Sequence, residues 1–192
     1  SACLARSPPL GGTGLAYHVA LPAGGETRTV QGSIVYPRYF ATMGVPIVKG
    51  RDFREDDLRS DASRVVIVNE SFVREILNGR ESLGEDHGVR TGIPPAFRRP
   101  GQPAGGAPLN IVGVVNDSRV PGLRDVTPPR VYQTFQQSNT GFGQMVLHVR
   151  AVRDSAEITR PVTDLVRAIE RDAPMANVHT LADEVDAALV RE

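Results

Sequence analysis

The sequence predicts an α+β fold, and three observations predict it. Short runs rich in β-branched residues, such as "RVVIV" and "NIVGVV", have the composition of strands. Other segments space their apolar residues at helical intervals: Phe72, Val73, Ile76 and Leu77 in one, and Ile158, Val162, Leu165, Val166 and Ile169 in another. The two kinds follow one another without the regular βαβ rhythm of a parallel sheet, and no internal repeat is present.

Taken in order, Leu15 to Val35 reads as two strands joined by the turn "PAGGET". "PRYFATMG" is a short helix, with Pro37 in its first turn and Gly44 as its stop. "VPIVKG" is a strand, and the charged "RDFREDDLRSDAS" an exposed loop. "RVVIVNESFVREILNG" is a strand followed by a helix that Asn69 caps and Asn78-Gly79 ends. From Ile93 to Pro108, five prolines and three glycines in sixteen residues predict a loop without regular structure. "LNIVGVVND" and "RVYQTFQQ" are further strands. "QMVLHVR" alternates, with Met145, Leu147 and Val149 on one face and His148 on the polar one. Asp154 and Glu157 suggest a capping box for the next helix, which Pro161 is expected to bend or delay and which ends near "RDAP". "NVHT" reads as a strand and "LADEVDAALVRE" as a last helix.

At 192 residues the chain can bury a genuine core, and few aromatics (5%) leave small aliphatics to fill it. Its 22 basic and 22 acidic residues cancel, which removes the electrostatic footprint of a nucleic-acid or anionic-membrane binder. A single cysteine, Cys3, makes neither an internal disulfide nor a thiolate metal cluster. No apolar run is long enough to span a bilayer. Both ends break into predicted elements, so the chain reads as a segment of a longer protein.

No catalytic, cofactor-binding or metal-binding residues emerge. His18, His87, His148 and His179 lack metal-ligand spacing and read as exposed structural histidines. Ser71, without the flanking glycines of a nucleophile elbow, reads as a helix-surface serine. "GRDFREDD" lacks the calcium-loop pattern and reads as a solvated acidic loop. "GGTGLA" and "PAGGAP" carry no Lys-Ser/Thr for phosphate, and Asn116-Asp117 make a turn. These residues describe an α+β module that binds or transmits.

One set of motifs goes further. Tyr36-Pro37, Tyr39-Phe40, Met43-Gly44-Val45 and Gly50-Arg51-Asp52-Phe53, followed by Glu55-Asp56-Asp57, resemble a recurring segment in the extracytoplasmic domain of MacB-like ABC transporter permeases. In the same order, "VVIVNESFVREIL", "SLGEDHGV", "NIVGVVNDSRVPGLRD", "PPRVYQTFQQ" and the stretch from "LHVRAVRDS" to "LADEV" resemble later segments of that family. The likeness runs from about Gly32 onward and is nearest to acidobacterial-type permeases, which resemble both MacB and FtsX proteins. Glu85 stands where a basic residue is commoner, and Ile93 to Pro108 looks like an enlarged loop.

The resemblance implies a discontinuous, porter-like α+β subdomain, 1–62 with 144–192, and an inserted β-rich (Sabre-like) subdomain, 63–143. It implies a non-enzymatic domain without cofactor, on the periplasmic face of the bacterial inner membrane. This domain would transmit conformational change from cytoplasmic ATP hydrolysis to substrate export or partner activation. The implied partners are the parent transmembrane helices and a cytoplasmic ATPase domain or subunit, with a periplasmic adaptor left open. The excised domain would be a monomer and the full permease a dimer. Tyr39, Phe40 and Met43 would pack the short porter helix, and Asp57–Ser63 and Ser138–Gly143 would be hinges. Two other readings stay open: a stand-alone extracytoplasmic ligand- or peptide-binding module, and a hydrolase gathering His18, His148 or His179 with carboxylates.

Overall fold

A computed structural model describes residues 1–6, 15–20, 27–59, 61–80, 83, 90–92, 105–108, 110–117, 127–137, 145–152, 155–171 and 177–189. The strands among them are β1 (Ala2–Ala5), β2 (Leu15–Ala20), β3 (Thr27–Val35), β4 (Ile47–Gly50), β5 (Val65–Asn69), β6 (Arg90–Gly92), β7 (Gly105–Pro108), β8 (Asn110–Val115), β9 (Arg130–Thr134) and β10 (Val146–Val149). The helices are α1 (Tyr39–Met43), α2 (Glu70–Glu75), α3 (Ser155–Ile169) and α4 (Leu181–Leu189). The α+β class is thus the observed one.

The strands join in one mixed sheet, in the order β4-β8-β5-β9-β3-β2-β6-β7. β5 runs parallel to β8 and β3 parallel to β9, while the other pairings are antiparallel. β3 is long enough to hold two partners on one edge, β2 along Thr27–Gly32 and β1 at Val35. β1 pairs in turn with β10, matching Ala2 to Val149 and Ala5 to Val146. The N-terminal amine of Ser1 donates to the Arg150 carbonyl and Arg150 N–H to the Ser1 carbonyl, so the start of the chain is stitched to residue 150.

β5 is buried along its whole length, as its unbroken apolar run demands: side chains alternate across a pleated strand, so both faces must be covered. Val66 and Val68 face a core made with Phe72, Ile76 and Leu77 of the α2 segment and with Ile111, Val114 and Val131. Val65 and Ile67 face a second core with Tyr39 and Phe40 of α1, Phe53, Val115 and Tyr132. Phe40 is the hub of that second core. It meets Tyr39 and Tyr132 edge-on, at centroid distances of 5.4 and 4.9 Å, and stacks on Phe53 at 6.4 Å. The helix carrying it ends where expected, at Gly44 with φ 72, whose N–H bonds back to the Ala41 carbonyl. Gly32 has a different role: the Tyr17 ring lies over it, in space that a Cβ would occupy.

Several expectations are corrected. β7 falls within 93–108, because pairing to β6 at a sheet edge uses only the backbone and an edge strand tolerates Pro108; residues 93–104 lie outside the described ones. On β10, His148 faces inward against Tyr39, with ring centroids 6.0 Å apart, whereas Leu147 and Val149 are exposed. The alternation was legible, but α1 packs on the Cys3–His148 side and so reverses which face is inner. α3 starts at Ser155 and runs through Pro161, which therefore does not delay it. "NVHT" forms no strand: Asn177 adopts a left-handed φ of 58, and its carbonyl and Thr180 are engaged by the start of α4. The Asp154 capping box lies outside the described residues.

Burial is uneven. None of residues 157–169 is fully buried, and Leu165 and Ile169 are 62% and 79% exposed. No helix among the described residues is long and apolar enough to cross a membrane.

Phe40→Ala should remove the hub of the α1 core and cost about 3–5 kcal/mol. Urea unfolding of the 192-residue chain measures this loss. Leu165→Ala, already mostly exposed, should cost under about 1 kcal/mol.

Candidate functional site

Two polar assemblies lie at opposite ends of β5. At its C-terminal end, Asn69 makes four hydrogen bonds, the full capacity of a carboxamide. Its Oδ1 accepts from Phe72 N–H (3.1 Å) and Arg130 N–H (2.8 Å). Its Nδ2 donates to Asp117 Oδ1 (2.8 Å) and to the Pro128 carbonyl (3.0 Å). The first of these is the helix cap that the sequence predicts; the others join the ends of β5 and β8 to the start of β9.

Asp117, just past β8, completes the clasp. It accepts from Ser71 N–H at 3.0 Å and Ser71 Oγ at 2.7 Å, and its own N–H donates to Glu70 at 3.2 Å. Ser71 Oγ in turn accepts from the Arg74 guanidinium at 2.5 Å. Ser71 is therefore fully buried and not on the helix surface, since its hydroxyl points at the carboxylate beyond the neighbouring strand. Its partners are a carboxylate and a guanidinium, with no imidazole beside it among the described residues, so the arrangement described is a fastening.

At the other end of β5, Gln137 holds the chain crossing. Its Nε2 donates to the Asp57 and Ser63 carbonyls (2.9 and 3.2 Å), and its Oε1 accepts from Val65 N–H (2.9 Å). The Gln137 carbonyl accepts from Gln133, whose Oε1 accepts a hydrogen bond from the Tyr17 hydroxyl. Burial pushes that Tyr17 phenol up to about 12. One side chain thus binds both ends of the 57–63 segment expected to hinge.

Asp57 is also gripped by Arg51, with Nη1 and Nη2 at 2.6 and 3.0 Å from its two oxygens, and by Arg54 N–H at 2.7 Å. Burial pushes its carboxyl up, but the hydrogen bonds from Arg51 and Arg54 and their charges outweigh this and hold it below the ordinary value. Its neighbour Asp52 goes the other way, raised chiefly by burial. "GRDFREDD" is accordingly only partly a solvated loop: Glu55 and Asp56 are exposed, while Phe53 and Asp57 are buried.

The remaining candidates are scattered. His18 contacts the Thr29 hydroxyl, His148 packs on Tyr39, and His179 pairs with Glu184 on the surface. His87 lies outside the described residues. His18 and His148 are half-buried rather than exposed. Cys3 is buried, and burial raises its thiol. "GGTGLA" enters β2 at Leu15, and the last four residues of "PAGGAP" form β7. Among the described residues, no three or more His, Cys, Asp or Glu are grouped to hold a metal ion.

Residues 9–168 match the MacB-like periplasmic core domain. The chain belongs to that family. It is the periplasmic core domain of a MacB/FtsX-like ABC transporter permease. Among solved structures, the MacB-like domain is similar to the periplasmic region of MacB from Actinobacillus actinomycetemcomitans, at 18% identity and a TM-score of 0.56. The match covers 88% of this chain and 66% of that one, so the chain spans just under two thirds of that region's length. It is also similar to the extracellular domain of the noncanonic ABC-type transporter YknZ from Gram-positive bacteria, at 14% identity and a TM-score of 0.56, covering 89% of this chain and 76% of that one. At these identities the structural likeness speaks for the fold. No curated protein matches the chain.

Sequence reasoning found the Asn69 cap and missed Asp117, Gln133 and Gln137. Gln133 lies within β9 and the other two just past a strand, but only the strand order shows which groups they reach. Asn69→Ala should destabilise the MacB-like domain by about 2–4 kcal/mol, combining a lost cap with orphaned buried groups. Asn69→Asp should not rescue it, because a second carboxylate would face Asp117 without either donor. Chemical denaturation of the three proteins gives the ranking.

Proposed function

We propose that this domain is a transmitting body. Conformational change driven by ATP hydrolysis on the cytoplasmic side passes through the permease's transmembrane helices and reaches the domain. The domain delivers it to a substrate being exported or a partner being activated outside the membrane. The observation that carries this reading is the pairing of β1 with β10: residues near the start of the chain and residues near 150 form one ladder. A body whose distant segments are hydrogen-bonded together moves as a unit when either is pushed.

We also propose the two-part organisation, 1–62 with 144–192 as a porter-like subdomain and 63–143 as an inserted, Sabre-like one. The β1–β10 ladder supports the first part, since its strands come from the two separated stretches. Ladders β3–β9 and β4–β8 run between the two parts. Rotation of one part against the other would break them, and the Gln137 contacts oppose it as well. The parts therefore act as one lever, with bending placed at its connections to the membrane. The partners are the parent transmembrane helices and a cytoplasmic ATPase domain or subunit.

In cells, a full-length permease lacking residues 1–192 should fail to restore the phenotype lost on deleting the permease, while its ATPase still hydrolyses ATP. Restoration by the truncated protein would overturn the reading. The rigid-lever part has its own test. Ser1 and Arg150 exchange both backbone bonds, so Ala2 and Val149 form the closer, non-hydrogen-bonded pair that suits a disulfide. A permease carrying Ala2→Cys and Val149→Cys should work equally well oxidised and reduced. A loss of function on oxidation that reductant reverses would mean that the strands separate during the cycle.

A further inference from the structure

The start of α4 is held by a histidine whose two ring nitrogens both face oxygen acceptors. His179 Nε2 lies 2.7 Å from Glu184 Oε1, and Nδ1 lies 2.8 Å from the Asn177 backbone carbonyl. Neither an ionised carboxylate nor a carbonyl can donate, so both contacts are hydrogen bonds only when both nitrogens carry protons. A neutral imidazole satisfies one and leaves the other as lone pair against lone pair.

We propose that His179 is a pH-dependent clamp: doubly protonated, it fastens the turn at 177–180 onto the first turns of α4, and loss of one proton releases that turn. The proton count is the same if the shared proton resides on Glu184, because the pair then still holds one proton that leaves as the pH rises.

The surroundings suit such a device. Asn177 sits in the left-handed region at φ 58, the backbone bend that accompanies its carbonyl's contact with Nδ1. The helix also has a cap that does not involve His179: Thr180 N–H and Oγ1 donate to Asp183 Oδ2 at 2.8 and 2.7 Å. Releasing the clamp therefore loosens the turn while leaving the helix capped. On α4, the groups acting on the imidazole are Glu184 and Asp183, both acidic. From α1, Tyr39 lies near enough to Glu184 to feel its charge, and burial keeps that phenol protonated. His148 packs on the same Tyr39 ring.

The direction of the pH effect follows. The hydrogen bond to Glu184, then the Asn177 carbonyl and the charges of Glu184 and Asp183, raise His179 above its ordinary 6.5, outweighing the partial loss of water around the ring, which lowers it. A group whose folded pKa is raised contributes its full stabilisation below the unfolded value, here about 6.5, and loses it as pH rises through the folded one. The His179 side chain is 40% exposed, so solvent screens the pair and the effect is local rather than global.

The inference stands apart from the proposed function and is tested on the 192-residue chain alone. NMR titration of the His179 ring should give a midpoint above that of an unstructured histidine. Amide exchange, corrected for its intrinsic pH dependence, should lose several-fold protection in the first two turns of α4 between about pH 6 and pH 8, with α2 unchanged. Glu184→Gln should lower the His179 midpoint, and His179→Gln should flatten the pH dependence in α4. A His179 midpoint at or below the unstructured value would overturn the clamp. So would an α4 exchange profile in His179→Gln that still varies with pH as in the unmodified chain.

Discussion

Everything in this molecule depends on β5 being buried on both faces. A five-residue strand with no solvent-facing side can carry no unpaired polar group at its ends, because desolvating one without a partner costs about 1–3 kcal/mol. Both ends are accordingly closed by a carboxamide from the protein's own chain. Gln137 takes the first N–H of the strand, at Val65, and Asn69 closes the last position with four bonds of its own. A carboxamide suits this work because it donates and accepts at once without bringing a charge into the core.

Those two closures also organise what surrounds the strand. Through Asn69 and Asp117, the ends of β5 and β8 are tied to the start of α2 and of β9. Through Gln137, the Asp57–Ser63 crossing is tied to β5, and the Arg51 grip on Asp57 extends the connection to the end of β4. Polar groups buried in this manner strengthen one another in a low-dielectric interior, and each is positioned by the others. The MacB-like domain is cross-tied where its strands cross, and the ties can be stated atom by atom.

Burial falls away toward the C-terminal helices. The α3 stripe is half-buried at most and Leu165 and Ile169 are exposed, whereas Phe40 and Phe72 are almost wholly enclosed. Contacts that hold α4 are accordingly local and polar: the Thr180–Asp183 cap and the His179–Glu184 pair. Such contacts respond to solvent conditions, as a packed hydrocarbon core does not. A body cross-tied through its sheet and more lightly held at its last helices suits the transmitting role proposed for it.

The sequence by itself determined the α+β class, the position of most elements, the Asn69 cap and the Gly44 stop. These are written in local features: a β-branched run, a 3.6-residue spacing, a side chain that caps three residues ahead, a backbone conformation glycine favours. The ordered motifs from Tyr36 to Asp57 and beyond also carried the family. Tertiary structure alone decided the rest. Periodicity separates two faces of β10 but cannot say which one meets α1, so His148 came out inward. Composition forbids a helix in "GGAP" but cannot foresee that an edge strand needs only its backbone. Ser71, Asp57 and Gln137 were polar residues near apolar strands, and their burial became visible only once distant partners arrived. The physical reason is the same each time. Local pattern fixes what a segment can form, whereas the long-range neighbours that share its hydrogen bonds and exclude its water fix what it becomes.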